Sequence, residues 1–257
     1  MSLLEVDSLT VEIGGRRLLD GIDLALDRGE RWGVIGESGS GKSLTALAIL
    51  GLLPDAATVT GNVRFDGTEL IGRPDRELSR IRGNRISMIF QEPASSLDPL
   101  QRVGAHIAEP LRLHRGYSRR AARSAAIELA ARVGLPDPEE TVRAFPHQLS
   151  GGQRQRVCIA AAVATEPELL IADEPTTALD VTVAAEILRL LRQLTDERGT
   201  ALVFVTHDLA VLAQVARRVA VLGAGRVRET GTLEQVLAAP SDPITRALVT
   251  SARELAP

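Results

Sequence analysis

The sequence predicts an α/β fold with a mainly parallel sheet, an antiparallel β subdomain at the N-terminus and an inserted α-helical subdomain. Apolar and polar residues alternate before and after the turn Gly14-Gly15, as they do in antiparallel strands. Residues 100–145 are rich in Ala, Leu and Arg and contain few β-branched residues, which favours helices. From residue 151 onward, short apolar runs alternate with helical periodicity, which predicts βαβ units and parallel strands.

The elements follow from these patterns in chain order. Before residue 95 we predict strands at Leu3–Ile13, Asp23–Leu26, Trp32–Ile35, Asn62–Phe65 and Arg85–Phe90, and a helix at Ser43–Leu53 that Pro54 stops. After it we predict helices at Ser118–Val133, Gly151–Thr165, Val181–Arg198 and Leu209–Ala216, and strands at Leu169–Ala172, Ala201–Val205 and Arg218–Leu222. We expect a single domain over residues 1–257, with a helical subdomain at about 94–165 and a short helical tail at about 232–257.

Composition excludes several functional classes. A net charge of −3 argues against a protein that coats nucleic acid, and an aromatic content of 2% argues against a base-stacking surface. The apolar stretch Ala46–Leu53 is too short to cross a bilayer, which needs about 20 residues. Cys158 is the only cysteine, so we expect no disulfide and a reducing, cytoplasmic setting.

A phosphate-binding motif, G-x-x-x-x-G-K-[ST], lies between the strand 32–35 and the helix 43–53. It consists of Gly36, Glu37, Ser38, Gly39, Ser40, Gly41, Lys42 and Ser43. The glycines let backbone N–H groups turn towards phosphate oxygens at the positive end of the helix. Lys42, the only lysine among 30 basic residues, would contact the β- and γ-phosphates, and the Ser43 hydroxyl would bind Mg²⁺. The alternative is a glycine turn before a buried helix, which the Gly-Lys-Ser ending disfavours. The motif predicts a P-loop NTPase with a RecA-like core.

Two acidic residues end the apolar run 169–172. Asp173 would lie at the carboxyl edge of the sheet, where ligands of open α/β sheets bind, and would hold Mg²⁺ through water. Glu174 follows it, and a carboxylate in that position can orient and polarise an attacking water. The alternative, two surface acids at a strand end, becomes less attractive beside the phosphate-binding motif.

The segment Leu149-Ser150-Gly151-Gly152-Gln153, followed by Arg154-Gln155-Arg156, gives the family resemblance. With the preceding motifs it closely resembles the nucleotide-binding subunit of ATP-binding cassette (ABC) transporters, in the family's order and over nearly the whole chain. The resemblance implies that Gln91 links Mg²⁺ and the attacking water to the helical subdomain. It places Asp180 in a loop that crosses a dimer interface, and His207 in a switch that touches the γ-phosphate. It also places Ile13 where the family usually has an aromatic residue stacked on adenine.

The segment 150–152 also has a physical interpretation. Ser150, Gly151 and Gly152 begin a helix, so their N–H groups can bind an anion. The resemblance implies that two subunits pack head to tail and sandwich two ATP molecules, with Ser150, Gly151, Gly152 and Gln153 of one closing on the γ-phosphate held by the other. Hydrolysis would then let the dimer open.

Three stretches resemble the importer ATPases of the oligopeptide, dipeptide and nickel group: Ile86–Pro99, Ile171–Asp180 and Pro240–Leu248. This resemblance implies an ATPase on the cytoplasmic face of the membrane that drives uptake of peptides or of nickel and other metal complexes. Its partners would be two permease subunits, a second ATPase subunit that is identical or homologous, and, indirectly, an extracytoplasmic solute-binding protein. We expect no nucleic acid partner, and the cargo stays undecided.

The sequence leaves two questions open: an alternative function for the chain, and the role of an arginine-rich segment. A soluble ABC ATPase acting on ribosomes or DNA is disfavoured because the chain has one cassette, one cysteine and no extended heptads. The segment 112–123 carries five arginines and no acid, and it would contact an acidic permease loop or anionic headgroups, or be a solvated helical face. We favour the solvated face.

Overall fold

The computed structural model describes residues 2–254, so Met1 and residues 255–257 of the predicted domain and tail lie outside the described residues. The chain forms two compact units. The first comprises the residues up to Ser79 together with those from Ala201 onward, and the second comprises Arg80–Thr200. The predicted subdomain at 94–165 remains a prediction.

The N-terminal part of the first unit is built mainly of strands. Its elements are β1 Ser2–Ile13, β2 Arg16–Asp27, β3 Arg31–Ile35, α1 Lys42–Leu50, β4 Ala57–Phe65, β5 Thr68–Glu69 and α2 Asp75–Leu78. Four strands form an antiparallel sheet in the order β2-β1-β4-β5. One face of β1 is buried through Val6, Leu9 and Val11, as the alternating pattern predicts.

The second unit is mainly helical and contains two strands. Its elements are β6 Ile86–Ile89, α3 Pro93–Ser96, α4 Val103–His114, α5 Arg119–Arg132, α6 Pro138–Thr141, a 3₁₀ turn Pro146–Gln148, α7 Gly151–Val163, β7 Leu169–Asp173 and α8 Val181–Arg198. Strands β6 and β7 are parallel, with Ile89 opposite Ala172. All five residues of β7 are buried, which explains its continuous apolar run.

The C-terminal part of the chain, from Ala201 onward, belongs to the first unit. Its elements are β8 Ala201–Thr206, α9 Leu209–Leu212, β9 Arg218–Gly223, β10 Arg226–Thr232, α10 Leu233–Ala238 and α11 Pro243–Glu254. In this unit β3 is parallel to both β8 and β9, and β10 is antiparallel to β9. The mixed but mainly parallel pairing and the antiparallel N-terminal sheet confirm the predicted α/β class.

Several boundaries differ from the prediction. Helix α1 ends at Leu50 rather than Leu53, because Gly51 adopts φ 62° and its N–H caps the helix before Pro54 is reached. Strand β2 begins at Arg16, well before the predicted Asp23. The prediction missed this start because the first two residues of the strand are charged. Strand β10 was not predicted, because alternate residues are only half-buried and it has no apolar face.

The arginine-rich segment is divided between two helices. Arg112, Arg119, Arg120 and Arg123 are exposed, which agrees with the solvated face that the sequence favours. Arg115 instead donates to the carbonyl oxygen of Thr165, so it also connects helices within the second unit. In the described part of the chain, no helix is long and apolar enough to cross a bilayer.

Candidate functional site

The phosphate-binding motif lies between β3 and α1 in the first unit, as predicted. Its first residue has no room for a side chain: a Cβ at Gly36 would lie 2.2 Å from the backbone oxygen of Leu222 and 2.6 Å from Ser40 Oγ. Gly39 and Gly41 have φ values of 78° and 105°, a region that favours glycine. The loop therefore needs its glycines for close packing at one end and for backbone conformation at the other.

Helix α1 starts without a side-chain cap. Gly41 precedes it, and no side chain accepts a hydrogen bond from the first turn. Lys42 is 6% exposed, and its Nζ donates to the backbone oxygens of Gly36 and Glu37 at 2.8 and 3.0 Å. These bonds hold the ammonium group over the loop. The N-terminus of α1 thus offers backbone N–H groups and one positive charge, the combination that binds phosphate.

The remaining motif residues differ in exposure. Glu37, Ser38 and Gly39 are exposed at the top of the loop, and Ser43 is half-buried in the first turn of α1. Ser40 is 5% exposed, and its Oγ has no hydrogen-bond partner among residues 2–254. A buried hydroxyl without a partner is costly, so Ser40 is a further polar group that a bound phosphate could satisfy.

The turn between β9 and β10 is hydrogen-bonded to the phosphate-binding loop. The N–H of Gly225 donates to the Ser40 oxygen at 3.0 Å, and the N–H of Asp20 donates to the Gly225 oxygen at 2.8 Å. Gly225 has φ 74°, and a Cβ there would lie 2.3 Å from the Leu18 oxygen. This turn connects the loop with β2. Sequence reasoning missed it, because nothing in the segment 223–226 indicates a long-range contact.

Ion pairs surround this turn. The Asp20 carboxylate accepts from Arg226 Nε at 2.7 Å and from an Arg17 nitrogen at 3.1 Å, and Arg17 Nε also donates to Glu12 at 2.9 Å. The hydrogen bond that Asp20 accepts from Arg226 lowers the pKa of Asp20, and the hydrogen bond that Arg17 donates to Glu12 raises the pKa of Arg17. These groups therefore stay charged at neutral pH.

His207 lies directly after β8 and is exposed. Strands β8 and β3 are parallel, with Thr206 opposite Ile35, so His207 and Gly36 leave neighbouring strands at the same edge. Asp208 caps α9 by accepting from the N–H of Ala210 at 2.7 Å. The structure thus places His207 beside the beginning of the phosphate-binding loop.

The predicted acidic pair lies at the end of β7 in the second unit. Asp173 is 4% exposed and Glu174 is half-buried, with φ 44°. Gln91 Nε2 donates to Glu174 Oε2 at 3.1 Å, and Thr177 Oγ1 donates to the same oxygen at 3.0 Å. The structure therefore brings Gln91 and Glu174 together. Thr177 was not predicted, since a threonine three residues after an acid carries no signal of its own.

Helix α7 begins at the segment Ser150–Gln153. Ser150 Oγ accepts from the N–H of Gln153 at 3.2 Å, and Gln153 Oε1 accepts from the N–H of Ser150 at 2.8 Å, which is a capping box. A Cβ at Gly152 would lie 2.7 Å from Val183 Cγ1, so this helix start packs on α8. Asp180 caps α8, its Oδ1 accepting from the N–H of Val183 at 2.9 Å.

Ile13 ends β1 and is half-buried. It lies directly opposite Arg16 on β2 and opposite Ala57 on β4. No aromatic side chain occupies this place in the sheet. Among residues 2–254, no group of three or more His, Cys, Asp or Glu residues could hold a metal ion.

Comparison with known proteins decides the family. A family model described as ABC transporter matches residues 19–177. The chain belongs to the ABC transporter family. It is an ATP-hydrolysing subunit, as the sequence predicted, and the proposed resemblance is confirmed.

Three relatives match over almost the whole chain. A probable peptide ABC transporter ATP-binding protein of Sinorhizobium fredii is 48% identical over 97% of this chain and 76% of its own length. An oligopeptide transport ATP-binding protein of Bacillus subtilis is 46% identical over 97% of this chain and 71% of its own. A dipeptide transport ATP-binding protein of Escherichia coli is 44% identical over 100% of this chain and 80% of its own.

Solved structures confirm the fold. The dimeric, post-hydrolysis structure of the ATP-binding cassette MJ0796 bound to ADP and Pi matches with a TM-score of 0.80 and 33% identity, over 90% of this chain and 98% of that one. A component of the ABC transporter complex cbiONQ of Clostridium perfringens matches with a TM-score of 0.78 and 28% identity, over 93% of this chain and 91% of that one.

Proposed function

We propose that this ATPase drives the uptake of peptides, as a head-to-tail dimer on the cytoplasmic face of the membrane. The names of the relatives above favour peptides as cargo, whereas nickel and metal complexes stay a prediction from the sequence alone. The partners would be two permease subunits, a second ATPase subunit and, indirectly, an extracytoplasmic solute-binding protein. The observation that supports the hydrolytic step of this proposal is the contact of Gln91 and Thr177 with the Glu174 carboxylate.

Phosphate binding falls to the first unit. Backbone N–H groups of the loop and the start of α1 would surround the phosphates, and Lys42 would exchange its bonds to two loop oxygens for phosphate oxygens. The partnerless Ser40 hydroxyl lies in the same loop. His207, at the adjoining strand end, would contact the γ-phosphate.

Water activation falls to the second unit. Two hydrogen bonds fix Oε2 of Glu174, and a carboxylate held in this way can orient an attacking water and accept its proton. Gln91 donates a hydrogen bond from its amide nitrogen to Glu174, so its amide oxygen is directed away from that carboxylate oxygen. We infer that Glu174 is the general base, with Gln91 and Thr177 as positioning residues.

Mg²⁺ remains a proposal from the residue types, with one predicted ligand in the first unit and two in the second. Ser43, Gln91 and Asp173 supply hydroxyl, amide and carboxylate oxygens, and Mg²⁺ prefers oxygen ligands together with substrate phosphates. When bound, the ion would neutralise charge that develops on the phosphates. Asp173 is held at the buried end of β7, and Ser43 is the second residue of α1.

The start of α7 would complete the site of a second subunit. Gln153 and Ser150 satisfy each other, so Gly151 and Gly152 are the residues whose N–H groups remain at the tip. We propose that they meet the γ-phosphate bound by the other subunit, with Asp180 crossing the interface beside them. The structure of a cassette dimer among the matches supports this arrangement.

Replacing the proposed base tests hydrolysis. Glu174→Gln should retain ATP binding and lower phosphate release by about 10²–10⁴-fold, since the amide cannot accept a proton. Glu140→Gln, an exposed carboxylate that pairs with Arg143, should remain near wild type. Near-normal turnover in Glu174→Gln would remove Glu174 from this role.

The same variant tests dimerisation. With ATP, Glu174→Gln should run as a dimer in size-exclusion chromatography, and the added change Ser150→Arg should return it to monomers. If only monomers appear with ATP, this chain needs a different partner ATPase.

Purification from native membranes tests the proposed transport complex. It should recover two permeases, and a peptide-loaded binding protein should raise ATPase activity. Recovery of ribosomes instead would contradict the transport role.

A further inference from the structure

We propose that Arg16 stacks on the purine ring of the bound nucleotide, on a surface completed by Ile13 and Ala57. The guanidinium would take the place of the aromatic ring that this position lacks. The inference depends on the proposed nucleotide site and adds to it the residue that contacts the base. All residues that carry it belong to the first unit.

Two rows of side chains run across strands β2, β1 and β4. In the first row, Leu19 and Val59 lie directly opposite Val11. In the second row, Arg16 and Ala57 lie directly opposite Ile13. Residues directly opposite one another share a face, and so do residues two apart on one strand. On β1 and β4 both rows therefore lie on the same face of the sheet. On β2 the register shifts by one residue between Leu19 and Arg17, and Arg16 joins this face through its pairing with Ile13.

The first row touches the phosphate-binding loop. A Cβ at Gly41 would lie 2.5 Å from Leu19 Cδ2 and 3.7 Å from the Leu18 oxygen, so β2 packs directly on the residue before α1. The second row begins roughly 7 Å further along the strand. A nucleotide with its phosphates in the loop must extend its ribose and base away from it. The second row is the next surface on this face of the sheet.

The second row is more exposed than the first. In the first row Val11 and Leu19 are fully buried and Val59 is half-buried, whereas in the second row Ile13 and Ala57 are half-buried and Arg16 is exposed. The row thus offers two aliphatic side chains and one guanidinium within reach of solvent. Such a surface is flat and partly apolar, as the face of a purine requires.

Arg16 is available for this contact. Within residues 2–254 its guanidinium pairs with no carboxylate, although the neighbouring Arg17 pairs with both Glu12 and Asp20. Glu12 and Arg17 lie opposite each other on the other face of the hairpin. The hairpin therefore neutralises one arginine and leaves the charge of the other next to Ile13.

A guanidinium suits a purine for two reasons. It is planar and weakly hydrated, so it stacks on aromatic faces, whereas the lysine ammonium is a compact and strongly hydrated charge. Stacking uses the ring face and does not recognise the exocyclic groups that distinguish adenine from guanine. We therefore expect the site to accept both purines with similar affinity.

Binding measurements can separate the base from the phosphates. The full chain is titrated with AMP-PNP, GMP-PNP and inorganic tripolyphosphate by calorimetry. Arg16→Ala should weaken both nucleotides roughly 3- to 10-fold and leave tripolyphosphate unchanged. Arg64→Ala, an exposed arginine on β4 of the same sheet, should change none of them. Equal weakening of tripolyphosphate would overturn the inference, because Arg16 would then act on phosphate.

Two further variants test whether the planar shape of the guanidinium, rather than its charge, makes the contact with the base. Arg16→Lys keeps the charge and should behave like Arg16→Ala; full affinity with lysine would overturn the inference. The double variant Ile13→Tyr with Arg16→Ala should recover nucleotide affinity, because a ring again covers the base, and no recovery counts against a base at this row. Failure of wild-type protein to bind any of the three probes would instead contradict the proposed nucleotide site itself.

Discussion

The starts of helices α1 and α7 are both candidate anion-binding sites, but they are built differently. Helix α1 follows Gly41 and has no side-chain cap, while Lys42 bonds to the loop oxygens before it. Helix α7 follows Ser150, and Ser150 and Gln153 cap it reciprocally. One start is left open and carries its own positive charge. The other is satisfied by its own side chains.

The difference teaches how each start can be used. The uncapped α1 keeps its N–H groups available at all times, so it can hold phosphate within a single subunit. The capped α7 is stable without an anion, and only the N–H groups of its two glycines remain at the tip. A helix start of this kind can meet a ligand in one state and release it in another without unfolding.

The largest effect should come from removing the charge at α1. Lys42→Ala removes the only ammonium over the loop, and we expect phosphate release to fall by about 10²–10³-fold. Lys42→Arg should not rescue it, since the wider guanidinium does not fit where a 6% exposed ammonium lies. A Lys42→Ala variant that hydrolyses ATP at half the wild-type rate or more would break the comparison.

A glycine series compares how the two starts are packed. Gly36→Ala should lower the free energy of unfolding by about 2 kcal/mol or more, because its Cβ would meet backbone at 2.2 Å. Gly152→Ala should cost about 1 kcal/mol, since it meets the end of the Val183 side chain, which can turn away. Gly151→Ala, with 3.7 Å of space, should change stability by less than about 0.5 kcal/mol. Urea denaturation measures all three, and the reverse order would contradict the packing.

The cap of α7 should contribute a smaller amount. Ser150→Ala removes one half of the capping box and should reduce stability by about 1 kcal/mol. Ser43→Ala, a serine in the first turn of the uncapped helix, provides the matched control and should change stability less. Equal losses in the two variants would show that the caps do not differ as the structure indicates.

The last effect depends on pH and concerns the hairpin β9–β10, which contacts the phosphate-binding loop. Partial burial raises the pKa of Glu229 on β10, but the N–H groups of Ser241 and Asp242 outweigh it and lower the pKa to about 2, from 4.5. The ionised carboxylate therefore stabilises the fold above about pH 4.5, and this stabilisation is lost as the pH falls towards 2.

Glu229→Gln should accordingly be less stable than wild type at pH 7, and the difference should shrink as the pH is lowered to 3. Unfolding by urea at a series of pH values measures this, with the exposed Glu5→Gln as control. A difference that stays constant with pH would show that the charge of Glu229 is not what holds residues 241 and 242.

Local patterns predicted much of this structure. The strand β3, the loop and helix α1 follow from one motif, and the buried run of β7 predicts where Asp173 lies. These features depend on residues close together in the chain. The start of α7 was predicted for the same reason, because its cap needs only Ser150 and Gln153.

What sequence reasoning missed are contacts between distant segments. The support that Gly225 gives to Ser40 joins residues that are far apart in sequence, and neither residue type indicates it. The bond from Thr177 to Glu174 is local, but it occurs where Glu174 has a positive φ, and no sequence pattern predicts that conformation. The pairing of Arg16 with Ile13 required the register of the hairpin, since Arg16 was predicted to lie outside a strand.

The single lysine has a practical consequence for experiments on this protein. Apart from the α-amino group, Lys42 is the only amine in the chain. Amine-reactive cross-linkers therefore cannot report on subunit contacts without engaging the phosphate-binding loop or the N-terminus, and immobilisation through lysine would select molecules with a modified loop. Conversely, one mass increment on one peptide reports occupancy of the loop, and bound ATP should suppress it. Mapping of assemblies needs carboxylate- or arginine-directed reagents, for which the surface has many targets.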